Sequence, residues 1–243
     1  YINFLGDMAR FDLGRSFVQN ASVEEIIVSR IPETLQLAAG ALVVALLIGL
    51  PLGLLMALTK GKFISRWIMG IVLACQSMPT FWSGIMMILV FGVWLRWLPS
   101  SGTGTLSHLI MPSIALGLLS LATYARITRS AVVDEMGKEY VRSALARGVG
   151  TKRLVTKHLM RNSLIPIISI TALELSQLLA GAVIVETVFA WPGLGLLTVQ
   201  SIAARDFVVV QAVVLLGAFV TIFANLGADI LYSIVDPRVR LSV

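Results

Sequence analysis

Residues 35–58 read LQLAAGALVVALLIGLPLGLLMAL and contain no charged side chain. An α-helix needs about 20 mostly apolar residues to cross the hydrocarbon core of a bilayer, and this run satisfies that length. Four further stretches are long and apolar enough, at residues 68–95, 106–127, 164–189 and 207–235. We therefore predict an all-α, polytopic membrane protein whose transmembrane domain occupies residues 31–236 with five spans.

The composition agrees with a membrane protein and excludes other classes. The 243 residues are 57% hydrophobic and only 13% charged, with a formal net charge of +6. A soluble domain with these values would have too little polar surface to face water, and a disordered chain needs the opposite composition. The positive charge lies in short loops between spans, so we expect membrane lipid as a contact and no nucleic acid.

Basic residues identify the cytoplasmic side of the predicted bundle. The connections on the other side hold only Arg96 and Arg205. By the positive-inside rule, the basic side is cytoplasmic, so residue 1 lies outside and the tail at residues 237–243 lies inside. The residues on the basic side are Lys60, Lys62, Arg66, Arg126, Arg129, Lys138, Arg142, Arg147, Lys152, Arg153, Lys157, Arg161, Arg238 and Arg240.

Residues 1–30 are predicted to form an extracytoplasmic segment near the membrane surface. The sequence from Ser22 to Glu25 matches a capping box, which predicts a short interfacial helix ending at Arg30. Pro32 then suits the first turn of the next helix. An N-terminus outside the membrane without a signal peptide needs a preceding span, so six spans are expected in the intact protein.

The cytoplasmic loop at residues 129–162 is too polar to span the membrane. Its composition predicts a helix over residues 134–147, a left-handed glycine at Gly148, and a second helix over residues 152–162 capped by Thr151. A loop that only enforces topology or contacts lipid headgroups is the alternative, but it would not require a structured turn. Small residues at Ala144, Ala146 and Gly148 would let this turn approach another protein closely.

Several motifs along the whole chain resemble one transporter family. Residues 140–148 read YVRSALARG and residues 158–162 read HLMRN. Taken together and in order, the motifs resemble the permease subunits of binding-protein-dependent ABC importers, in the dipeptide, oligopeptide and nickel branch. The other matching motifs are DLGRS at 12–16, SMPTFW at 77–82, ARITRS at 125–130, ETVF at 186–189, WPGLG at 191–195 and DPRVR at 236–240.

The resemblance implies a type I ABC importer transmembrane fold in a bacterial or archaeal cytoplasmic (inner) membrane. The chain would form half of a translocation pathway and would have no catalytic residue, metal or cofactor of its own. ATP and Mg²⁺ would bind to partner subunits. The implied partners are two ATP-binding subunits, a second related permease and an extracytoplasmic solute-binding protein. The implied coupling residues are Tyr140, Arg142, Ala144, Ala146, Arg147, Gly148, Gly150, Lys152 and His158.

Polar residues within the predicted spans are candidates for the translocation pathway, because ionisable groups in a membrane are rare and costly. Glu174, Gln177 and Gly181 share one helix face by spacing. The proline break at residues 78–79 would expose backbone carbonyls. Hydrogen bonding between helices, or packing of the turn after Glu186, would explain the same residues. The candidates are Gln76, Ser77, Met78, Pro79, Ser83, Glu174, Gln177 and Glu186.

Two other function classes fit less well. A membrane enzyme would need paired catalytic groups, but His108 and His158 are the only histidines and lie on opposite sides of the predicted bundle. A channel or secondary transporter would explain Glu174 and Glu186 but not the structured basic loop. Within the importer class, di- or oligopeptide is the predicted cargo, and nickel chelates and glutathione remain alternatives. The absence of histidine from the predicted pathway argues weakly against direct ligation of nickel.

Overall fold

The structure, a computed structural model, describes residues 13–16, 18–155 and 159–235. Helices account for most of these residues, and no strand forms within them, which confirms the all-α prediction. A π-helical segment, Ile88–Trp94, follows directly after α3. The helices are α1 (Val23–Leu58), α2 (Phe63–Ser77), α3 (Thr80–Met87), α4 (Leu106–Met136), α5 (Glu139–Ala146), α6 (Thr151–Leu154), α7 (Met160–Phe189), α8 (Leu194–Ala203) and α9 (Phe207–Val235).

The number of membrane-spanning elements agrees with the sequence. By length and composition, α1, α4 and residues 207–227 of α9 can each cross a membrane. Two helix pairs that bend at a short break also pass this test: α2 with Thr80–Trp94, and the two parts of α7. Counting each pair as one span gives up to five spans within the described residues, as predicted.

The first long helix corrects one boundary. We expected a short helix ending at Arg30 and a new one starting at Pro32, but α1 runs without interruption from Val23 to Leu58. The Ser22 hydroxyl accepts a hydrogen bond from the Glu25 amide at 3.3 Å, as the capping box predicts. Pro32 lies inside α1, where it has no amide hydrogen to donate to the carbonyl of Val28.

The chain divides into two compact units, and the first comprises the residues up to Ala41, Thr80–Leu116 and Ser176–Phe223. Its apolar core joins α1, α8 and α9. Ser16 donates a hydrogen bond to the Asp206 carboxylate just before α9, so the segment at residues 13–16 is tied to the connection between α8 and α9. The core residues are Val23, Ile26, Ile27, Leu197, Val209, Ala212 and Val213.

The second unit comprises Leu42–Pro79, Gly117–Leu175 and the residues from Ala224 onward. Here α1 and α4 pack closely through the Gly49 and Gly53 pair. A Cβ added at Gly53 would lie 2.5 Å from the Ala125 carbonyl oxygen and 2.6 Å from Thr128 Cβ, so a side chain cannot be accommodated. Gly49 and Gly53 have the G-x-x-x-G spacing that favours close contact between helices, and this contact is present between α1 and α4.

The cytoplasmic loop differs from the prediction at both of its helices. The helix expected over residues 134–147 is divided, because α4 continues to Met136 and α5 begins at Glu139. Gly137, a poor helix former, lies at the break, where its amide bonds the Asp134 carbonyl at 3.2 Å. The second predicted helix does not end at Asn162, since α7 continues from Met160 into the fourth span. His158 lies outside the described residues.

Candidate functional site

The predicted turn at Gly148 forms a defined corner, which we call the coupling corner and define as residues 139–150. Gly148 adopts a φ of +77°, in the left-handed region. Its amide donates to the Leu145 carbonyl at 2.9 Å, and the Val149 amide donates to the Ala144 carbonyl at 3.1 Å. This pair of bonds is a Schellman motif, which satisfies the last carbonyls of α5. The prediction of a glycine C-terminal cap is confirmed.

One face of α5 is directed into the protein. Val141 and Ala144 are three residues apart and are only 3% and 4% exposed. They pack against Ala57 of α1, Val132 of α4 and buried residues that precede α7. The expectation that Ala144 lets the corner approach another protein is therefore wrong, because this small side chain allows α5 to lie close to its own core.

The opposite face of α5 is exposed and carries an apolar residue among basic ones. Leu145 is 52% exposed, although it follows the buried Ala144 directly. Leu145 was not among the predicted coupling residues. The signal that could have identified it is its position, which lies outside the helix face shared by Val141 and Ala144. The structure does not describe the side chain of Lys152. The exposed residues of the corner are Glu139, Arg142, Ser143, Leu145, Ala146, Arg147, Gly148 and Gly150.

A buried carboxylate lies at the base of the corner. Glu135, near the end of α4, is 8% exposed and accepts a hydrogen bond from the Tyr140 hydroxyl at 2.6 Å. It also accepts from Asn162 Nδ2 at 3.3 Å and pairs with the Lys138 ammonium. Burial, followed by the hydrogen bond to this carboxylate, raises the pKa of the Tyr140 phenol. Tyr140 was predicted from sequence. Glu135 and Asn162 were missed, because they are 27 residues apart and only the fold brings them together.

The predicted break in the second span is present, and α2 ends at Ser77 before α3 begins at Thr80. Met78 and Pro79 are exposed and Gln76 is half-buried. The hydroxyl groups of the two candidate serines bond to their own helices: Ser77 donates to Leu73 at 2.9 Å, and Ser83 donates to Thr80 at 2.9 Å. The exposed positions at the break are therefore Ser77, Met78 and Pro79, whereas Ser83 is buried.

Glu174 and Gln177 do not share one environment, although their spacing placed them on one helix face. Glu174 is 4% exposed, whereas Gln177 is exposed. Residues three apart on a helix do not point in quite the same direction. One can therefore lie within the buried face of the helix while the other lies just outside it.

Glu186 is fully buried and caps the start of α8. One oxygen of its carboxylate accepts from the Thr34 hydroxyl at 2.7 Å. The other accepts from the amides of Gly195 at 2.6 Å and Leu196 at 3.0 Å. The first amides of a helix have no partner within the helix and carry a partial positive charge, so a carboxylate is a suitable acceptor. In this structure, Glu186 therefore lies inside the protein and not on an exposed pathway wall.

The glycines of the WPGLG motif allow this contact. A Cβ at Gly193 would lie 2.2 Å from Glu186 Oε1, and one at Gly195 would lie 2.4 Å from the backbone Cα of Val183. The same turn is held by Trp191, which is 1% exposed and whose indole donates to the Glu33 carbonyl at 2.9 Å. These contacts agree with packing of the turn, the alternative to a pathway role for Glu186.

Three relatives align with nearly all of the chain. It is 37% identical to the di/tripeptide transport system permease protein DppB of Pseudomonas aeruginosa, over 99% of this chain and 80% of the relative. It is 38% identical to the oligopeptide transport system permease protein AppB of Bacillus subtilis, over 99% and 79%. It is also 38% identical to the glutathione transport system permease protein GsiC of Escherichia coli, over 98% and 78%.

Solved structures share the fold at low sequence identity. A chain of the MetNI methionine ABC transporter in inward-facing conformations matches with a TM-score of 0.73 at 21% identity, covering 87% of this chain and 96% of that one. A chain of an amino acid ABC transporter with histidines matches with a TM-score of 0.64 at 17% identity, covering 86% and 94%. These likenesses support the type I importer fold expected from the motifs.

The family match covers the region that contains the coupling corner and the WPGLG turn. The family described as "Binding-protein-dependent transport system inner membrane component" matches residues 49–241. This match, together with the aligned relatives, identifies the chain: it belongs to the family of inner membrane components of binding-protein-dependent transport systems.

Proposed function

We propose that this chain forms half of the translocation pathway of an ATP-driven importer whose cargo is a di- or oligopeptide. The observation that carries the proposal is the coupling corner, a rigidly capped helix with an exposed basic and apolar outer face on a chain of this family. The peptide assignment rests on relatives with 37% and 38% identity that are named for di/tripeptide and oligopeptide transport.

The outer face of the corner would dock on a cytoplasmic ATP-binding subunit. Arg142 and Arg147 supply positive charge for acidic groups of that partner, and Leu145 supplies an apolar anchor. ATP and Mg²⁺ would bind to two such subunits, while a second related permease would complete the pathway. The membrane is the inner membrane, with the corner and the C-terminus inside and residue 1 outside.

The packing beneath the corner gives a route from ATP-driven motion to the spans. When the two ATP-binding subunits close, the docked corners would be displaced with them. Val141 and Ala144 are buried against α1 and α4, so displacement of α5 acts on those helices directly. A well-packed apolar contact transmits such a movement because interiors are dense and poorly compressible. An extracytoplasmic solute-binding protein would deliver the cargo to the opened pathway.

Glu174 is our foremost candidate for a contact with cargo. Its carboxylate lies in a predicted span and is only 4% exposed. An ionisable group at such a position is rare and costly in a membrane, and a protonated peptide amine would supply a charge partner for it. Gln76, Ser77, Met78, Pro79, Ser83 and Gln177 remain further candidates, and Glu186 would act only by positioning α8.

The function is tested by transport in proteoliposomes that contain the intact chain, its permease partner and the ATP-binding subunits. A labelled dipeptide supplied with the binding protein should accumulate only when ATP is available to the ATPase side. Glutathione and a nickel chelate, tested in the same way, distinguish the alternative cargoes. Accumulation of peptide without ATP would contradict the proposal and would favour a channel or secondary transporter.

A further inference from the structure

The base of the coupling corner contains a hydrogen-bond network that the transport role alone does not require. Glu135 of α4 accepts from Tyr140 of α5 at 2.6 Å and from Asn162 of α7 at 3.3 Å. Asn162 Nδ2 also reaches the Tyr140 hydroxyl at 3.3 Å. These three side chains therefore join three different helices at one point.

The backbone at this position gives little restraint of its own. The break between α4 and α5 contains Gly137, whose conformational freedom makes the junction a natural pivot. Two short-range backbone bonds hold the turn: the Gly137 amide bonds Asp134 at 3.2 Å, and the Lys138 amide bonds Glu135 at 3.2 Å. Neither bond reaches α7, so side chains must fix the direction of α5 relative to that helix.

The position of Glu135 is unfavourable for a simple helix-stabilising role. A carboxylate in the last turn of a helix opposes the negative end of the helix dipole. Glu135 is nevertheless 8% exposed at the end of α4. Its burial is compensated by donors from Lys138, Tyr140 and Asn162, so the group is stable only when α5 and α7 are both in place.

We propose that Glu135, Tyr140 and Asn162 act as a clamp that positions the coupling corner and makes α4, α5 and α7 move together when the corner is displaced. The three are positioning residues and contact neither cargo nor ATP. The inference rests on the proposed coupling of this corner to an ATP-binding subunit. The clamp predicts that its loss uncouples ATP hydrolysis from transport while leaving the outer face of the corner available for docking.

The test compares Tyr140→Phe, Glu135→Ala and the double variant in the complete reconstituted transporter. Peptide uptake and ATP hydrolysis are measured together, and the readout is the peptide imported per ATP hydrolysed. We expect Tyr140→Phe to lower this ratio by about tenfold, the effect of losing one hydrogen bond to a charged group. The double variant should be no worse than Glu135→Ala, because both changes break one network.

Two matched variants separate a clamp from general stability. Asp134→Asn alters an exposed acid next to Glu135, outside the coupling corner, and should leave the ratio unchanged. Glu135→Gln keeps an oxygen that can accept from Tyr140, so it should restore part of the coupling lost in Glu135→Ala. If any variant assembles poorly, amide hydrogen exchange of residues 139–146 in the detergent-solubilised chain provides a second readout. Tyr140→Phe should accelerate exchange there but not in residues 106–127.

The outcomes distinguish the inference from the proposed function. If Tyr140→Phe imports as much peptide per ATP as wild type, and residues 139–146 exchange their amide hydrogens at the wild-type rate, the clamp is overturned while ATP-driven import remains intact. Absence of ATP-binding subunits from the purified wild-type assembly, with uptake independent of ATP, would instead overturn the proposed function. Additive losses in the double variant would also overturn the clamp, because they would show that Glu135 and Tyr140 act separately.

Discussion

Replacement of Glu186 by alanine should destabilise the first unit by removing the cap of α8. The Glu186 carboxylate is fully buried and accepts from the Thr34 hydroxyl and from the amides of Gly195 and Leu196. Alanine removes all of these acceptors at once. The amides cannot turn to another acceptor within the protein, because the helix fixes their direction.

The expected cost follows from the number of donors left without a partner. Each buried donor that loses its partner costs about 1–3 kcal/mol, so three such donors cost at least about 3 kcal/mol. For a chain of this size, each kcal/mol lowers the melting temperature by about 2–4 °C, which gives a decrease of about 6–12 °C. Glu186→Gln should cost only about 1 kcal/mol, because its amide oxygen can still accept from the α8 amides.

The assay is thermal unfolding of the purified chain within its assembly in detergent, followed by amide hydrogen exchange of residues 194–197. Thr187→Ala is the matched control, since Thr187 is the next residue on the same helix and is exposed. Its hydroxyl donates a hydrogen bond to the Val183 carbonyl of that helix. A Glu186→Ala variant that melts within about 2 °C of wild type, with unchanged protection at the start of α8, would refute the capping role.

Two glycine substitutions give further tests. Gly195→Ala should destabilise the chain by about 1–3 kcal/mol, because the new Cβ would lie 2.4 Å from the Val183 backbone; an unchanged melting temperature would argue against this tight packing. The Cβ of Gly148→Ala meets no neighbouring atom, but the residue must keep a φ of +77°. This variant should therefore lower the free energy of unfolding by about 1 kcal/mol and reduce peptide uptake. Gly148→Asn should retain more uptake, because asparagine adopts the left-handed conformation more readily. Equal uptake by these two Gly148 variants would argue against a role for the left-handed turn in transport.

Features governed by local chemistry could be predicted from sequence. The proline break before Thr80, the left-handed turn at Gly148 and the close helix contact at Gly53 each depend on one residue whose backbone or size restricts the structure. The apolar runs likewise predicted up to five spans, because a bilayer imposes a minimum length on a helix.

Features that depend on tertiary direction could not be predicted. Ala144 lies on the buried face of α5, and the sequence does not show which side of a short helix meets the core. Glu186 bonds Thr34, which is 152 residues away, so its role as a cap was not visible in the local sequence. Pro32 was expected to begin a helix but lies inside α1, and the local sequence does not show that the helix continues through it.

The central claim is that the outer face of the coupling corner docks on an ATP-binding subunit. The most direct measurement is the amount of that subunit that co-purifies with the tagged intact chain, compared between wild type and Leu145→Asp. Leu145 is 52% exposed, so the substitution should leave insertion and melting temperature unchanged. We predict stoichiometric ATP-binding subunit with wild type and its loss with Leu145→Asp. Retention of the wild-type amount by this variant, or absence of the subunit from wild type, would contradict the account.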